Sequence, residues 1–142
     1  MGLKRPRTTK QRKHGMAMVE MVFVLPVLVL VVFAIAQFGL MFSRWLTLSN
    51  AVREGARTGV AWRGPTCATT VPAIKTQIED AVVSYARAGG VPLQTTDVDI
   101  TGDCGAAGTE LQVSASYFFK LNIPFSSFSS IPLSYSSTMR NE

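Results

Sequence analysis

The stretch that decides the fold runs from Gly15 to Phe42 and reads GMAMVEMVFVLPVLVLVVFAIAQFGLMF. Its last 22 residues, from Met21 onward, carry no formal charge and only one amide, Gln37. As an α-helix rising about 1.5 Å per residue they reach roughly 33 Å, which is enough to cross a bilayer. Pro26 removes one helical hydrogen bond, a defect that membrane helices tolerate. The stretch therefore predicts a single transmembrane helix over residues 16–42.

The positive charge of the chain is concentrated before this stretch. The formal net charge is +5, yet six basic residues precede the first acid, and the rest of the chain holds 8 basic and 9 acidic residues. The six are Lys4, Arg5, Arg7, Lys10, Arg12 and Lys13. Basic runs can bind nucleic acid, but one placed directly before a long apolar segment keeps its own side in the cytoplasm. We expect a cytoplasmic leader over residues 1–15, an exported chain beyond residue 42, and no nucleic-acid partner.

A cleaved secretory signal is the alternative explanation of the same stretch. The sequence AIA at residues 34–36 fits a small-x-small cleavage site behind a basic region. However, apolar residues continue past this site to Phe42, and the amino-terminal region is long and contains Glu20. We expect the segment to be retained, with release of a domain beginning at Gln37 as the alternative.

The helical pattern continues beyond the predicted span, through residues 43–63. This segment has no proline, and Trp45, Leu48 and Val52 recur at helical spacing. Small residues recur at every fourth position across the end of the span and this continuation: Gly39, Ser43, Thr47, Ala51, Gly55 and Gly59. Such a row forms a low groove that another backbone can approach closely. We expect this groove to pack against the exported domain or a neighbouring subunit.

The remainder, residues 64–142, predicts a small α+β module. Gly64 and Pro65 break the first helix, and a second, amphipathic helix is expected from about Val71 to Ala88. The residues expected on its apolar face are Ile74, Ile78, Ala81, Val82 and Tyr85. Alternating apolar residues then predict three strands, which contain Val98 and Ile100, then Leu111 to Phe119, then Leu133, Tyr135 and Met139. The predicted fold class is therefore α+β and pilin-like, with a long N-terminal transmembrane helix, a second helix and a short antiparallel sheet.

Two cysteines, Cys67 and Cys104, both lie on the predicted exported side. A pair of cysteines outside the membrane favours a disulfide, and small modules with a limited core often need one. Closing the loop between these two cysteines would contribute about 4 kcal/mol to the free energy of unfolding on the chain-entropy model. We expect the bond, with two unpaired thiols as the alternative.

Catalytic and metal-binding residues are scarce in the sequence. His14 is the only histidine and lies on the cytoplasmic side of the span, so no exported Ser-His or Cys-His pair can form. Asp97, Asp99 and Asp103 resemble part of a cation site, but turns and strand ends normally carry such exposed acids. We therefore predict no enzyme activity, no cofactor and no metal.

Glu20 is the unexpected residue at the mouth of the apolar segment. If a peptidase cut between Gly15 and Met16, Glu20 would become the fifth residue of the mature chain, one helical turn from a new α-ammonium group. A charge near hydrocarbon is costly and needs a partner, which the ammonium of an adjacent subunit can supply. The pair would then act in assembly and register.

A basic leader, Gly15, a glutamate five residues later and a long apolar helix resemble the class III signal of type IV pilin-like proteins. The wider text resembles the TadE-like family of pseudopilins from Gly15 to Val60. The matching residues are Val19-Glu20, Leu25-Pro26, Gln37-Phe38-Gly39, Asn50-Ala51, and Arg53, Glu54, Gly55, Ala56 and Arg57. The ending SYSSTMRNE is similar to the close of such proteins, whereas the middle of the chain carries no motif that aligns.

The resemblance implies a minor pilin of the tight-adherence system, which builds thin adhesive Flp pili. It implies insertion in the bacterial inner membrane with a periplasmic or extracellular C-terminal domain, and cleavage after Gly15 by a prepilin peptidase. The implied partners are other pilin and pseudopilin subunits, that peptidase, the inner-membrane assembly platform and the lipid bilayer. Met21 stands where the major Flp pilin usually has tyrosine, which favours a minor component. The alternative is an uncut single-pass anchor that displays a small binding domain.

Overall fold

The computed structural model describes residues 11–61, 72–102, 108–120 and 130–140, with side chains described from Gly15 onward in the first of these ranges and from Ala73 in the second. The helices are α1 (Gln11–Val60) and α2 (Pro72–Ala88). A 3₁₀ turn (Thr95–Asp97) precedes strands β1 (Val98–Gly102), β2 (Glu110–Phe119) and β3 (Ile131–Arg140). The chain divides into two compact units, Met1–Gln37 and Phe38–Glu142.

The first unit contains the apolar part of α1. Every side chain from Gly15 to Ala36 is exposed, including large apolar ones such as Phe23 and Leu30. Within the described residues, Gly15–Val60 is the one helical segment long and apolar enough to cross a membrane, with a mean hydropathy of 2.9 in its most apolar window. A helix that is apolar on all sides and uncovered by protein suits a lipid environment. The segment therefore fits a membrane anchor.

The second unit is built on a three-stranded antiparallel sheet of order β1-β2-β3. Ile100 pairs with Val113, and Leu111 pairs with Met139. Alternate residues of β2 are buried, namely Leu111, Val113, Ala115 and Phe119, with Tyr117 partly buried between the last two. The period of two that predicted these strands thus places one sheet face in the core and leaves the other in solvent.

The core of this unit combines one face of each helix with the inner face of the sheet. The end of α1 contributes Leu48, Ala51, Val52 and Ala56, and α2 contributes Ile74, Ile78, Val82, Val83 and Ala86. Val91 and Leu93, which link α2 to the 3₁₀ turn, are also fully buried. A long apolar helix, a second helix and a short antiparallel sheet confirm the predicted α+β class.

Helix α2 ends at Ala88, directly before Gly89 and Gly90. The N–H of Val91 donates to the carbonyl of Ala86 at 2.9 Å, and the N–H of Gly90 donates to the carbonyl of Arg87 at 3.0 Å. Gly90 has φ of +79°, so the pair of bonds forms a Schellman cap. Pro92 follows directly and cannot continue the helix.

The predicted apolar face of α2 is wrong in one part. Tyr85 is 44% exposed and Ala81 only partly buried, whereas Val83 and Ala86 lie in the core. The buried row runs 74, 78, 82 and 86 because α2 approaches α1 along its i,i+4 ridge, with Gly89 against Thr47 at the end of that row. The contact with α1 along this ridge extends to Ala86, and Tyr85 lies on the exposed side of α2.

Candidate functional site

The predicted processing site lies in the exposed first part of α1. A Cβ added to Gly15 would meet nothing within 4 Å, and the Met16 side chain is exposed. Glu20 follows one helical turn after Met16 and is also exposed. Among the described side chains it forms no ion pair or hydrogen bond within its own chain. Its carboxylate is therefore open to a partner from outside the chain.

The row of small residues divides into two parts with different surroundings. Gly39 has nothing within 4 Å of an added Cβ, and Ser43 is exposed. Thr47 lies against Gly89, and Ala51 is fully buried. A Cβ on Gly55 would overlap the side chain of Val82, and one on Gly59 would overlap Leu111 and lie 2.9 Å from Ile78 Cδ1. The last four positions thus admit α2 and β2 closely, whereas the first two face open space.

The segment Asn50–Arg57 places its small residues inward and its charges outward. Gly55 and Ala56 are buried, and Asn50 is exposed. Arg57 lies 3.9 Å from Glu54, a long and exposed ion pair that contributes little to stability. These residues therefore serve mainly to let α1 pack within the second unit.

Arg53, one of the residues that carry the family resemblance, reaches from α1 to the sheet. Its Nε and one terminal nitrogen donate to the Tyr135 hydroxyl at 3.1 and 2.8 Å, and its guanidinium lies 5.5 Å from the centre of the Tyr135 ring. Trp45 meets the same ring edge-on at 6.2 Å. The contact orients α1 on the sheet through a hydrogen bond and a cation–π interaction.

Arg44 makes a second contact of this kind that sequence reasoning missed. It donates to the Tyr117 hydroxyl at 3.1 Å, and its guanidinium lies 5.1 Å from the centre of the Phe119 ring. The sequence signal available for these contacts was the alternation of apolar and polar residues in β2 and β3, which put Tyr117 and Tyr135 on the inner face of the sheet. Nothing in the sequence indicated which cations their hydroxyls would meet.

Of the three acidic residues considered for a cation site, Asp97 has a structural role. Asp97 accepts the backbone N–H of Gln94 at 3.0 Å and thereby closes the 3₁₀ turn. Asp97 and Asp99 line a shallow cavity of about 360 Å³ together with serines of β2 and β3. Within the described ranges, no three His, Cys, Asp or Glu side chains form a metal-binding group. Asp103 lies outside those ranges.

Cys67 and Cys104 also lie outside the described residues. The structure therefore gives no support for a disulfide between them, and the bond stays a prediction.

The fold and site define a class of protein, a small α+β domain that begins in a long helix fitted to anchor it in a membrane. A family model narrows this class, because residues 15–57 match the TadE-like protein family. The match confirms the resemblance inferred from the sequence, covers less than a third of the chain, and indicates a protein associated with the tight-adherence (Tad) pilus. No curated protein and no solved structure matches the chain.

Proposed function

We propose that this protein is a minor pilin or pseudopilin that takes part in assembly of a tight-adherence (Flp, type IVc) pilus. The observation that carries the proposal is the family match, which begins at Gly15, the glycine five residues before the exposed Glu20. A prepilin peptidase cuts between Gly15 and Met16. The exposed surroundings of both residues support access for such an enzyme.

Cleavage creates the group that Glu20 needs. The new α-ammonium of Met16 lies on the same helix as Glu20, and a neighbouring subunit presents the same two groups. The ammonium of one subunit neutralises the carboxylate of the next, which lowers the cost of a charge beside hydrocarbon. Glu20 has no partner among the described side chains of its own chain, so none of these competes with the neighbour.

The apolar surface of α1 has a second part in this assembly. Side chains on every side of the helix are exposed from Gly15 to Ala36. Lipid covers this surface before assembly, and the same surface packs against helices of other pilin and pseudopilin subunits afterwards. Association of such helices depends on close packing, since lipid is as apolar as the helices themselves.

The proposed location is the bacterial inner membrane, with the chain beyond residue 42 in the periplasm or outside the cell. From there the protein engages the peptidase and the assembly platform. Met21 favours a minor over a major subunit, since the major Flp pilin usually has tyrosine there.

Mass spectrometry of the protein recovered from cells tests the proposal. We expect a mature chain that begins at Met16, and an uncut chain when Gly15 is replaced by leucine, because the peptidase then lacks its glycine. Gly39→Leu is the matched control, since it introduces the same side chain into open space on the same helix. It should leave processing unchanged.

A wild-type chain that keeps its leader would contradict the proposal. The alternative, an uncut single-pass anchor displaying a small binding domain, would then explain the protein. A chain beginning at Gln37 would instead indicate a secreted domain.

A further inference from the structure

A small cavity in the second unit lies beside the end of α2. It measures about 350 Å³ and is lined by Arg44, Arg87, Gly90, Val91 and Pro92. Among the described residues that line it, the two arginines are the only charged ones, and none is acidic. The cavity therefore carries two positive charges and suits an anion of modest size.

Neither guanidinium has an acidic partner among the described residues. Arg44 donates one N–H to the Tyr117 hydroxyl, and Arg87 Nε donates to the carbonyl of Leu93 at a long 3.4 Å. Since each guanidinium offers five N–H donors, these bonds to described residues use only a minority of them. These contacts hold the two side chains at the cavity without neutralising their charge.

The backbone around the cavity does not oppose an anion strongly. The carbonyls of Ala86 and Arg87 already accept the N–H groups of Val91 and Gly90 in the helix cap. The C-terminus of a helix carries roughly half a negative charge, which is small beside two guanidinium charges. The local field is thus electropositive.

The position of Arg44 along α1 places the cavity at the membrane surface. It follows Phe42, the last residue of the predicted span, by two positions. Phe42 and Trp45 stack with ring centres 6.1 Å apart and are 49% and 36% exposed. Exposed aromatic residues at the end of a span mark the level of the lipid headgroups. Phosphate is the anion found at that level.

We propose that the Arg44–Arg87 cavity binds the phosphate of an anionic phospholipid in the leaflet on the side of the second unit. Guanidinium groups match phosphate by paired hydrogen bonds, and their two positive charges favour a lipid with a net negative charge over a zwitterionic one. The bound lipid fixes the depth at which α1 leaves the membrane. The inference does not depend on processing at Gly15 and holds for a cut or an uncut chain.

Native mass spectrometry of the full chain in detergent micelles tests the site, with phosphatidylglycerol as the anionic lipid and phosphatidylcholine as the neutral comparison. We expect wild type to retain phosphatidylglycerol preferentially. Arg87→Gln should lower that retention about fivefold, and Arg44→Gln/Arg87→Gln should lower it further, since each arginine near a membrane surface contributes such a factor. The basic leader also attracts anionic lipid but is identical in all variants, so differences between variants report the cavity.

The control is Lys75→Gln/Arg140→Gln, which removes the same charge from surfaces that do not line the cavity. It should retain phosphatidylglycerol as wild type does. Arg44→Gln also removes a bond to Tyr117. Arg87→Gln loses only the long bond to Leu93 among the described residues, so it separates lipid loss from misfolding. Equal retention in wild type and Arg87→Gln would overturn the proposal, as would an equal loss in the control. Displacement of the lipid by millimolar inorganic phosphate would indicate a free-anion site and would also overturn it.

Discussion

At the scale of the residue, Glu20 joins the sequence to the proposed function. A membrane anchor gains nothing from a carboxylate at the start of its apolar segment, because the charge must be solvated or paired there. The structure leaves this side chain exposed and without a partner among the described side chains. A carboxylate that is costly for anchoring and unpaired among the described side chains motivates the proposed contact with a neighbouring subunit.

Replacing Glu20 by alanine should separate assembly from folding. We expect normal membrane insertion and a free energy of unfolding within about 0.5 kcal/mol of wild type, since no contact with another described side chain is lost. Piliation should fall strongly, because the ammonium of a neighbour loses its carboxylate. Membrane fractionation and counting of pili by electron microscopy measure the two effects.

The control for this substitution is Asp80→Ala, which removes an exposed carboxylate from α2. It should leave both insertion and piliation unchanged. Wild-type piliation in cells that carry Glu20→Ala would contradict the ion-pair role.

At the scale of the element, periodicity predicted most of the fold. A continuous apolar run indicated the first part of α1. The spacing of apolar residues indicated the end of α1, helix α2 and the three strands, because each of these buries one face and the repeat of that face is fixed by backbone geometry. The predicted end of α2 at Ala88 is confirmed by the helix cap that Gly90 forms. These features are local, so a single sequence contains them.

The remainder depends on packing between elements. The prediction of the buried face of α2 was wrong at Tyr85, because that face is determined by the ridge of side chains that packs against α1. The contacts of Arg44 and Arg53 with tyrosine hydroxyls, and the cavity beside Arg87, required the relative placement of a helix and a sheet. For the candidate site, the sequence indicated Gly15, Glu20 and the small-residue row, whose roles in processing and assembly stay predictions.

The crossing of α1 and α2 depends on the absence of a side chain at Gly55. Gly55→Leu should lower the free energy of unfolding by about 1–3 kcal/mol, because even the first added carbon overlaps Val82. Urea unfolding followed by circular dichroism measures this. To accommodate the leucine side chain, α1 and α2 would have to move apart, which would also block assembly.

Gly39→Leu is the matched control, since it gives the same gain in helix propensity on α1 without any contact within 4 Å of its Cβ. The difference between the two variants therefore isolates the cost of overpacking. Equal stability of the two would show that close approach at Gly55 is not required.

At the scale of the whole molecule, the core of the second unit uses the end of the same helix that is expected to span the membrane. Four buried residues of α1, Leu48, Ala51, Val52 and Ala56, lie among those of α2 and the sheet. The core of the second unit therefore begins within α1. We expect folding of this unit to require the end of that helix.

Fragments of the chain test this division. A fragment of residues 43–142 should be folded and unfold cooperatively in water, since it keeps the described buried core. A fragment of residues 64–142 should lack a cooperative transition, because it loses the α1 face of a core that is already small. Circular dichroism during heating distinguishes the two. A sharp transition in the shorter fragment at the same temperature would contradict the essential part assigned to α1.

One consequence of the unbroken helix α1 is mechanical. Within the second unit, helix α1 runs without interruption from Phe38 to Val60. A tensile force applied to α1 at the start of this unit would pass along helical hydrogen bonds directly into the interior of the unit. The load would there act in shear along the rows of side chains packed against α1, instead of peeling a terminal strand from the sheet.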